Sequence, residues 1–391
     1  MGNRKGIRQP GDLPLQRADF QFSIKRMLIA TTACALLLAV LGSANVKDPA
    51  IVVLLMIVVF LVLFNDWSWF NLQRAGKLMR SGQFARAIAI YTRAIQARPD
   101  APDRYCDRAV AHAYQNDLEA AMSDYAEAIR LQSRYAPAWE GRASVELRRG
   151  NLQQAVDDAT IALCLAPDYV DAVIVRGAAY SRLGEYEAAI ADLNEAVAAA
   201  PDSWPVYRLR AQAHFLAENY RAAIDDLSHF PGAWQRHESA GIELAVARFK
   251  VGDHRTALEI IEACLHDHPL SSAALGFHAL FLATCPDDKL RDGRRALELA
   301  QQAQQLPARQ EFLCAAALAA AYAELGEFDR AVEFGRRAVE FAPDKVRARH
   351  ETRLTLYEAR QPYRDWPQQP SGHYEDKSHE REKGTTIGEK Q

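Results

Sequence analysis

Cysteine is scarce in this chain, which contains six cysteines among 391 residues. No two of them form a CxxC pair, and their spacing does not match a disulfide framework. The sequence therefore argues against a fold held together by disulfides. We expect the cysteines to be small buried thiols, and they are Cys34, Cys106, Cys164, Cys264, Cys285 and Cys314.

A strong excess of either charge is missing too, as are the common catalytic motifs. The formal net charge is −3, so no strong field marks a nucleic-acid partner, and none is expected. The chain has no P-loop, GxGxxG, HExxH, GxSxG or EF-hand loop. We therefore predict that the protein is not an enzyme and has no catalytic residues, no cofactor and no metal site.

Two polar stretches are the best candidates for chemistry, and we interpret both as surface. His266 and His268 stand two residues apart just before Pro269, so on a helix they would point in different directions, and a solvated turn is expected. The stretch CPDDKLRDG, residues 285–293, adds five residues to a turn and is expected to be a surface loop.

Long apolar runs are present near the amino terminus. A basic segment, residues 1–26, leads into MLIATTACALLLAVLGSA (27–44), and IVVLLMIVVFLVLF (51–64) follows. A spanning helix needs about 20 apolar residues, so the two runs predict a transmembrane hairpin over 27–66, with spans at 27–44 and 49–66. Positive charges on both sides predict that both termini are cytoplasmic. The alternative is a signal peptide cleaved after the small residues 42–44.

From residue 68 onward the sequence repeats every 34 residues. Glycine recurs at position 15 of the repeat and proline at position 32, where a turn and a helix end are expected. Small residues at positions 8 and 20 predict two antiparallel helices that approach closely. At position 8 they are Ala75, Ala109, Ala143, Gly177, Ala211 and Ala245, and at position 20 they are Ala87, Ala121, Ala155, Ala189, Ala223 and Ala257.

This pattern resembles the tetratricopeptide repeat (TPR) over residues 68–345. Six units run without insertion to residue 271, and units 272–311 and 312–345 follow. The predicted fold is all-α: a right-handed α-solenoid of about eight helix-turn-helix units, preceded by the transmembrane hairpin. With a capping helix the solenoid covers 68–361, and 362–391 is expected to be a disordered tail. Pro231 and Gly232 predict an early end to one helix, near His229, and a seam after unit five.

Arginine at position 7 and aspartate at position 23 recur together. An arginine on the buried side of a helix is costly unless it is paired, and its fork can take a carboxylate with two hydrogen bonds. We therefore predict structural ion pairs between the two helices of units two to five. The pairs are Arg108–Asp124, Arg142–Asp158, Arg176–Asp192 and Arg210–Asp226.

The TPR resemblance implies a partner-binding groove lined by the first helix of each unit. A clamp of lysine and asparagine for a chaperone's acidic tail is absent, because units one and two carry Leu72, Gly76, Cys106 and Val110 at its positions. The expected groove residues, at positions 5 and 9, are Cys106, Val110, Glu140, Ser144, Ile174, Ala178, Arg208, Gln212, Ile242 and Val246.

These observations predict a scaffold or adaptor with two kinds of partner. A protein or peptide would lie in the groove, and the lipid bilayer would hold the N-terminal hairpin. The expected location is a two-span integral membrane protein with its TPR domain in the cytoplasm. The alternative is an envelope assembly factor whose exported TPR array lies in the periplasm.

Overall fold

The computed structural model describes residues 71–230, 232–306 and 310–365. In these residues the chain forms seventeen α-helices, one short 3-10 helix and no strand. The chain divides into two compact bodies, an N-terminal body that ends at Leu216 and a C-terminal body that begins at Ala217. Each body is built from consecutive helix pairs, as the repeat predicts.

In the N-terminal body, nine helices alternate between the first and second helix of a unit. Five of them end in the turn at position 15, and the others end before the next unit. They are α1 (71–80), α2 (Phe84–Ala97), α3 (Pro102–Tyr114), α4 (Leu118–Leu131), α5 (Ala136–Arg149), α6 (Leu152–Leu165), α7 (Val170–Leu183), α8 (Tyr186–Ala199) and α9 (Trp204–Leu216).

The C-terminal body contains eight α-helices and the 3-10 helix Trp234–Arg236. Its last helix follows the final repeat, in the place predicted for a capping helix. The α-helices are α10 (Tyr220–Ser228), α11 (Glu238–Lys250), α12 (His254–Asp267), α13 (Ser272–Thr284), α14 (Gly293–Gln305), α15 (Glu311–Glu324), α16 (Phe328–Phe341) and α17 (Asp344–Glu358).

Small residues stand where the two helices of a unit meet. The alanines at positions 8 and 20 are inaccessible to solvent, as Ala143 on α5 and Ala155 on α6 illustrate, each with 0% of its surface exposed. At position 8 of unit four, a Cβ added to Gly177 would lie 3.0 Å from Cγ of Leu193, which is tighter than ordinary packing. The helices can therefore approach this closely only because no larger side chain stands between them.

The turn between the two helices of a unit needs a left-handed residue at position 15. This holds in every unit of regular 34-residue length whose turn the structure describes. Glycine supplies it in four of the first six units, as Gly150 (φ 87°) and Gly184 (φ 91°) show. Units two and five use Asn116 (φ 65°) and Glu218 (φ 60°) instead. The backbone repeat is thus more regular than the glycine pattern in the sequence.

The early helix end predicted near His229 is present, because α10 ends at Ser228 and is only nine residues long. The division between the two bodies lies elsewhere. It falls between Leu216 and Ala217, in the turn between the two helices of unit five, and so comes before the predicted seam.

The prediction of a transmembrane hairpin needs correction. No helix among the residues described, 71–365 with two short gaps, is long and apolar enough to cross a membrane. These helices have at most 15 residues, whereas a span needs about 20. The predicted spans, 27–44 and 49–66, lie outside the described residues. The described residues support an all-α solenoid of helix pairs, and they do not support the predicted hairpin or an integral two-span membrane protein, N-in and C-in.

Two buried histidines of the C-terminal body make its stability depend on pH. Burial lowers the pKa of His278 on α13 and of His350 on α17 to about 4, and neighbouring arginines lower both further. The unfolded chain binds protons at these histidines below its ordinary pKa of 6.5, while the folded chain does not until about 4. Stability is therefore lost as the pH falls through this window.

We expect the free energy of unfolding of the C-terminal body to fall by about 2 kcal/mol for each of the two histidines between about pH 7 and about pH 5. Urea titrations at the two pH values measure it. The double variant His278→Phe/His350→Phe should lose much of this pH dependence, and His266→Asn, at an exposed histidine, should keep it. An unchanged pH dependence in the double variant would show that these histidines do not carry the effect.

Candidate functional site

The structure brings together three of the four predicted arginine–aspartate pairs. In each one, Nε and Nη2 of the arginine donate to the two carboxylate oxygens, so that the contact is bidentate. The pairs join α3 to α4, α5 to α6 and α7 to α8. The two donor–acceptor distances are 2.8 and 2.6 Å for Arg108–Asp124, 2.7 and 2.7 Å for Arg142–Asp158, and 2.8 and 2.8 Å for Arg176–Asp192.

The carboxylate of each pair is buried and the guanidinium is about one-fifth exposed. For Arg142–Asp158, the side-chain exposures are 22% and 0%. The hydrogen bond to the aspartate is the main cause that raises the pKa of each arginine, while burial opposes it. These arginines thus stay charged and their forks are fully committed to the scaffold.

The arginines also contact the residues around them. Arg142 lies over the ring of Trp139, with its Cζ 4.7 Å from the ring centroid, and Arg108 lies over Tyr105 at 5.8 Å. Arg108 donates to Oγ1 of Thr92 in the preceding unit at 3.1 Å. Arg108 therefore ties its own unit to the unit before it.

The fourth predicted pair stays a prediction, because Arg210 lies in the N-terminal body and Asp226 in the C-terminal body. Within the N-terminal body, Nη1 of Arg210 donates to Oδ1 of Asn194 at 2.8 Å, and its guanidinium lies over Tyr207. Asn194 occupies the position in unit four that Thr92 occupies in unit one. Arg210 thus makes the same contact to the preceding unit that Arg108 makes.

First helices of neighbouring units contact one another in the N-terminal body. Helix α3 packs against α5, α5 against α7 and α7 against α9, whereas within the described part of this body the second helices are not packed on one another in the same way. The predicted groove residues of these helices are all half-buried, and we call them the first-helix face. They are Cys106, Val110, Glu140, Ser144, Ile174, Ala178, Arg208 and Gln212.

The first-helix face is half apolar and half polar, and it carries one charge of each sign. Glu140 lies on α5 and Arg208 on α9, and Ile174 and Ala178 lie on the helix between them. The hydroxyl of Tyr169 donates to Oε2 of Glu140 at 3.2 Å and so helps to orient that carboxylate. Such a surface offers opposite charges at two ends of an apolar stretch.

The remaining two predicted groove residues differ from the first eight. Ile242 and Val246 on α11 are buried, each with 8% of its surface exposed. They belong to the C-terminal body, and the structure therefore does not place them on the first-helix face.

Cys106 is the most reactive residue type on the first-helix face, but its environment disfavours the thiolate. Burial raises the pKa of the Cys106 thiol, and the nearby carboxylate of Asp107 raises it further. Burial also raises the pKa of Asp107 to about 7. A nucleophilic cysteine needs the opposite setting, one that lowers its pKa. Among the residues described, no group of three or more His, Cys, Asp or Glu side chains could hold a metal ion.

A second set of arginine contacts was missed by our sequence reasoning. At position 13, Arg148 donates to the carbonyl oxygen of Ala113 at 2.6 Å, and Arg182 donates to that of Leu147. Each arginine thus satisfies a carbonyl near the end of the preceding first helix. The 34-residue spacing of Arg148 and Arg182 was the signal that could have revealed this series.

Comparison with known families identifies the repeat. Two models described as tetratricopeptide repeat match the chain, one at residues 72–134, 106–170 and 174–228, and the other at 315–345. A curated relative, the TPR repeat-containing thioredoxin TTL4 of Arabidopsis thaliana, is 39% identical over 69 residues. That match covers 17% of this chain and 10% of the relative, so this chain spans about a tenth of the relative's length.

Two solved structures share the fold at low sequence identity. A chain of the APC/C hetero-tetramer Cut9–Hcn1 matches with a TM-score of 0.52 and 15% identity, over 64% of this chain and 48% of that one. PilF of Pseudomonas aeruginosa matches with a TM-score of 0.50 and 15% identity, over 55% of this chain and 98% of that one. At this identity the likeness shows the helical repeat fold alone.

The ion pairs predict a measurable coupling between α7 and α8. We expect Arg176→Leu alone to lower the free energy of unfolding by about 1–4 kcal/mol, because it leaves the carboxylate of Asp192 buried without its partner. Adding Asp192→Ile should recover much of that loss. Urea unfolding of the two single variants and the double variant gives the coupling energy.

The exposed pair Arg130–Glu127 provides the control, and Arg130→Leu should change stability far less than Arg176→Leu. If the effects of Arg176→Leu and Asp192→Ile simply add, the pair does not act as a unit.

Proposed function

We propose that the chain, which contains tetratricopeptide repeats, is a non-enzymatic scaffold whose N-terminal body binds a peptide of a partner protein along the first-helix face. TPR proteins bind protein or peptide partners, and their fold is typical of scaffolds rather than enzymes. The similarity to TPR proteins supports a role in protein interaction. The particular surface and the chemistry of the partner are our proposal.

The observation that carries this proposal is the half-buried state of the first-helix face. The alanines at positions 8 and 20 are fully buried, and three arginines at position 7, Arg108, Arg142 and Arg176, bind aspartates. The side chains at positions 5 and 9 of α3, α5, α7 and α9 are not fully buried and form no such arginine–aspartate pair. Cys106, Val110 and Ile174 pack partly against the core, and all eight side chains stay partly accessible on a continuous set of contacting helices. A partner can therefore bury them further.

The chemistry of the face defines the partner peptide that fits it best. Val110, Ile174 and Ala178 favour apolar side chains, and Glu140 and Arg208 favour a basic and an acidic side chain. We therefore propose a partner segment with a Lys or Arg at one end of an apolar stretch and an Asp or Glu at the other. Charge pairs of this kind fix the register and direction of the bound peptide.

Selection of a displayed random-peptide library on the full chain tests this function. We expect enriched peptides to carry the proposed arrangement of charges. Glu140→Arg should weaken their binding at least about tenfold, and replacing the peptide's basic residue with Glu should restore it. Glu187→Arg, an exposed change of the same kind on α8, should leave binding unchanged.

Fluorescence anisotropy measures each affinity, and circular dichroism confirms that each variant is folded. Peptides that bind Glu140→Arg as tightly as the unchanged protein would show that the first-helix face is not the site. The same conclusion would follow if the reversed peptide failed to restore binding to a folded Glu140→Arg variant.

A further inference from the structure

The last helix of the C-terminal body is followed by a short segment that turns back along the protein. Helix α17 ends at Glu358, and Arg360 is left-handed, with φ 56°. The amide of Gln361 donates to the carbonyl oxygen of Leu356 at 2.8 Å, which closes the helix end, and Pro362 cannot continue the helix. We call residues 361–365, which have no helical structure, the strap.

The strap contacts the carboxyl ends of three successive first helices. Nη2 of Arg364 lies 2.7 Å from a carboxylate oxygen of Glu324 on α15. The amide of Asp365 donates to the carbonyl oxygen of Thr284 on α13 at 2.9 Å. The Asp365 carboxylate then reaches Lys250 on α11. These three partners all stand at the last residue of their helix, so the strap runs across the helices from unit eight back to unit six.

Two buried cations receive the carboxylate of Asp365. Nζ of Lys250 lies 2.6 and 2.7 Å from its two oxygens, and Nη2 of Arg353 lies 3.7 Å from one of them. Lys250 and Arg353 are 9% and 7% exposed. We call these two residues the cation pocket. The ring of Tyr363 in the strap completes the arrangement, because the guanidinium of Arg353 lies over it at 4.5 Å.

The cation pocket needs an anion. A buried lysine next to a buried arginine is unfavourable unless a carboxylate neutralises them. Burial lowers the pKa of Lys250, the carboxylate of Asp365 opposes that shift, and Arg349 and Arg353 add to it. Arg349 itself pairs with Glu218 at 3.3 Å. Asp365 thus supplies the charge that the pocket lacks, from a segment outside the repeats.

The contacts of the strap are those that a separate extended peptide could make. One is a backbone hydrogen bond, one is the ion pair of Arg364 with Glu324, one is an aromatic ring against an arginine and one is a carboxylate on a lysine; none requires a covalent link to α17. The aromatic and the acidic residue are two apart, so an extended peptide offers both with the same spacing. The cation pocket is therefore filled by two residues of a short local pattern, Tyr363 and Asp365.

We propose that the cation pocket is a second peptide-binding site, specific for an extended partner segment with an aromatic residue two positions before an acidic one, and that the strap occupies it as a built-in competitor. Binding of the partner requires the strap to leave. Because the strap is tethered, its effective concentration at the pocket is of the order of millimolar. A partner segment displaces it only if it binds the pocket more strongly than the strap does at that concentration. The site lies in the C-terminal body and does not depend on the proposed role of the first-helix face.

A fluorescein-labelled peptide with the strap sequence, Gln-Pro-Tyr-Arg-Asp with an amidated carboxyl terminus, is the probe. The full chain is compared with Asp365→Asn, which weakens the strap but keeps the pocket. We expect anisotropy to show at least about tenfold tighter binding to Asp365→Asn than to the unchanged chain, because the competing carboxylate is gone. A probe that ends in Asn instead of Asp should lose this gain.

A second variant ties the gain to the pocket. Asp365→Asn/Lys250→Met has neither the competing carboxylate nor the lysine, and it should bind the probe no better than the unchanged chain. Circular dichroism and urea unfolding establish that both variants are folded. Glu140→Arg, combined with Asp365→Asn, should leave probe binding as in Asp365→Asn, so that this test is separate from the test of the first-helix face.

Two outcomes would overturn the proposal. If folded Asp365→Asn binds the probe no more tightly than the unchanged chain, the strap is a structural cap and not a competitor. If Asp365→Asn/Lys250→Met binds the probe as tightly as Asp365→Asn does, the cation pocket is not where the probe binds.

Discussion

The close approach of paired helices at positions 8 and 20 is the constraint on which the rest of the structure depends. Ala155 and Ala189 have no exposed surface, and a Cβ on Gly177 would already crowd Leu193. Because the helices can come this near at only one register, the same register sets every other cross-helix contact. It brings positions 7 and 23 face to face, which allows the arginine fork and the carboxylate to meet with short bidentate hydrogen bonds.

The same register separates scaffold from surface. Arg142 and Arg176 bind the carboxylates of Asp158 and Asp192. Arg148 and Arg182 donate hydrogen bonds to carbonyl oxygens of the preceding first helices. The arginines that look most like binding residues in the sequence are therefore structural. The surfaces that we propose for recognition are a small set of side chains at positions 5 and 9 in the N-terminal body and, in the C-terminal body, the cation pocket.

Much of the fold could be predicted because the sequence repeats. Each unit shows again which residue types a given position of the fold requires. The ion pairs were found in this way, since the joint recurrence of arginine and aspartate indicates contact without any structure. The division at Leu216 could not be found, because unit five keeps the alanines at positions 8 and 20 and the 34-residue phase. Asn116 and Glu218 show the converse: the backbone repeats where the sequence signal does not.

A contact that occurs only once leaves no recurring signal in the sequence, unlike the missed series of Arg148 and Arg182. Asp365 lies 115 residues from Lys250, in a stretch that composition alone assigned to a disordered tail. The residues around Asp365 and around Lys250 carry no pattern that would indicate their contact. The transmembrane hairpin was predicted from apolar length alone; its spans lie outside the described residues, and none of the described helices supports it. Hydropathy reports what a segment could do in a bilayer, whereas the repeats are supported by geometry at many positions at once.

The effect of enlarging one close-contact alanine tests the central claim most directly. Ala189→Leu on α8 adds three carbons where the two helices meet, and Ala191→Leu adds the same carbons at an exposed position on the same helix. We expect urea unfolding to show a loss of about 1–3 kcal/mol for Ala189→Leu and a change within about 0.5 kcal/mol for Ala191→Leu. Equal stabilities for the two variants would contradict the claim that close approach at these small residues sets the structure.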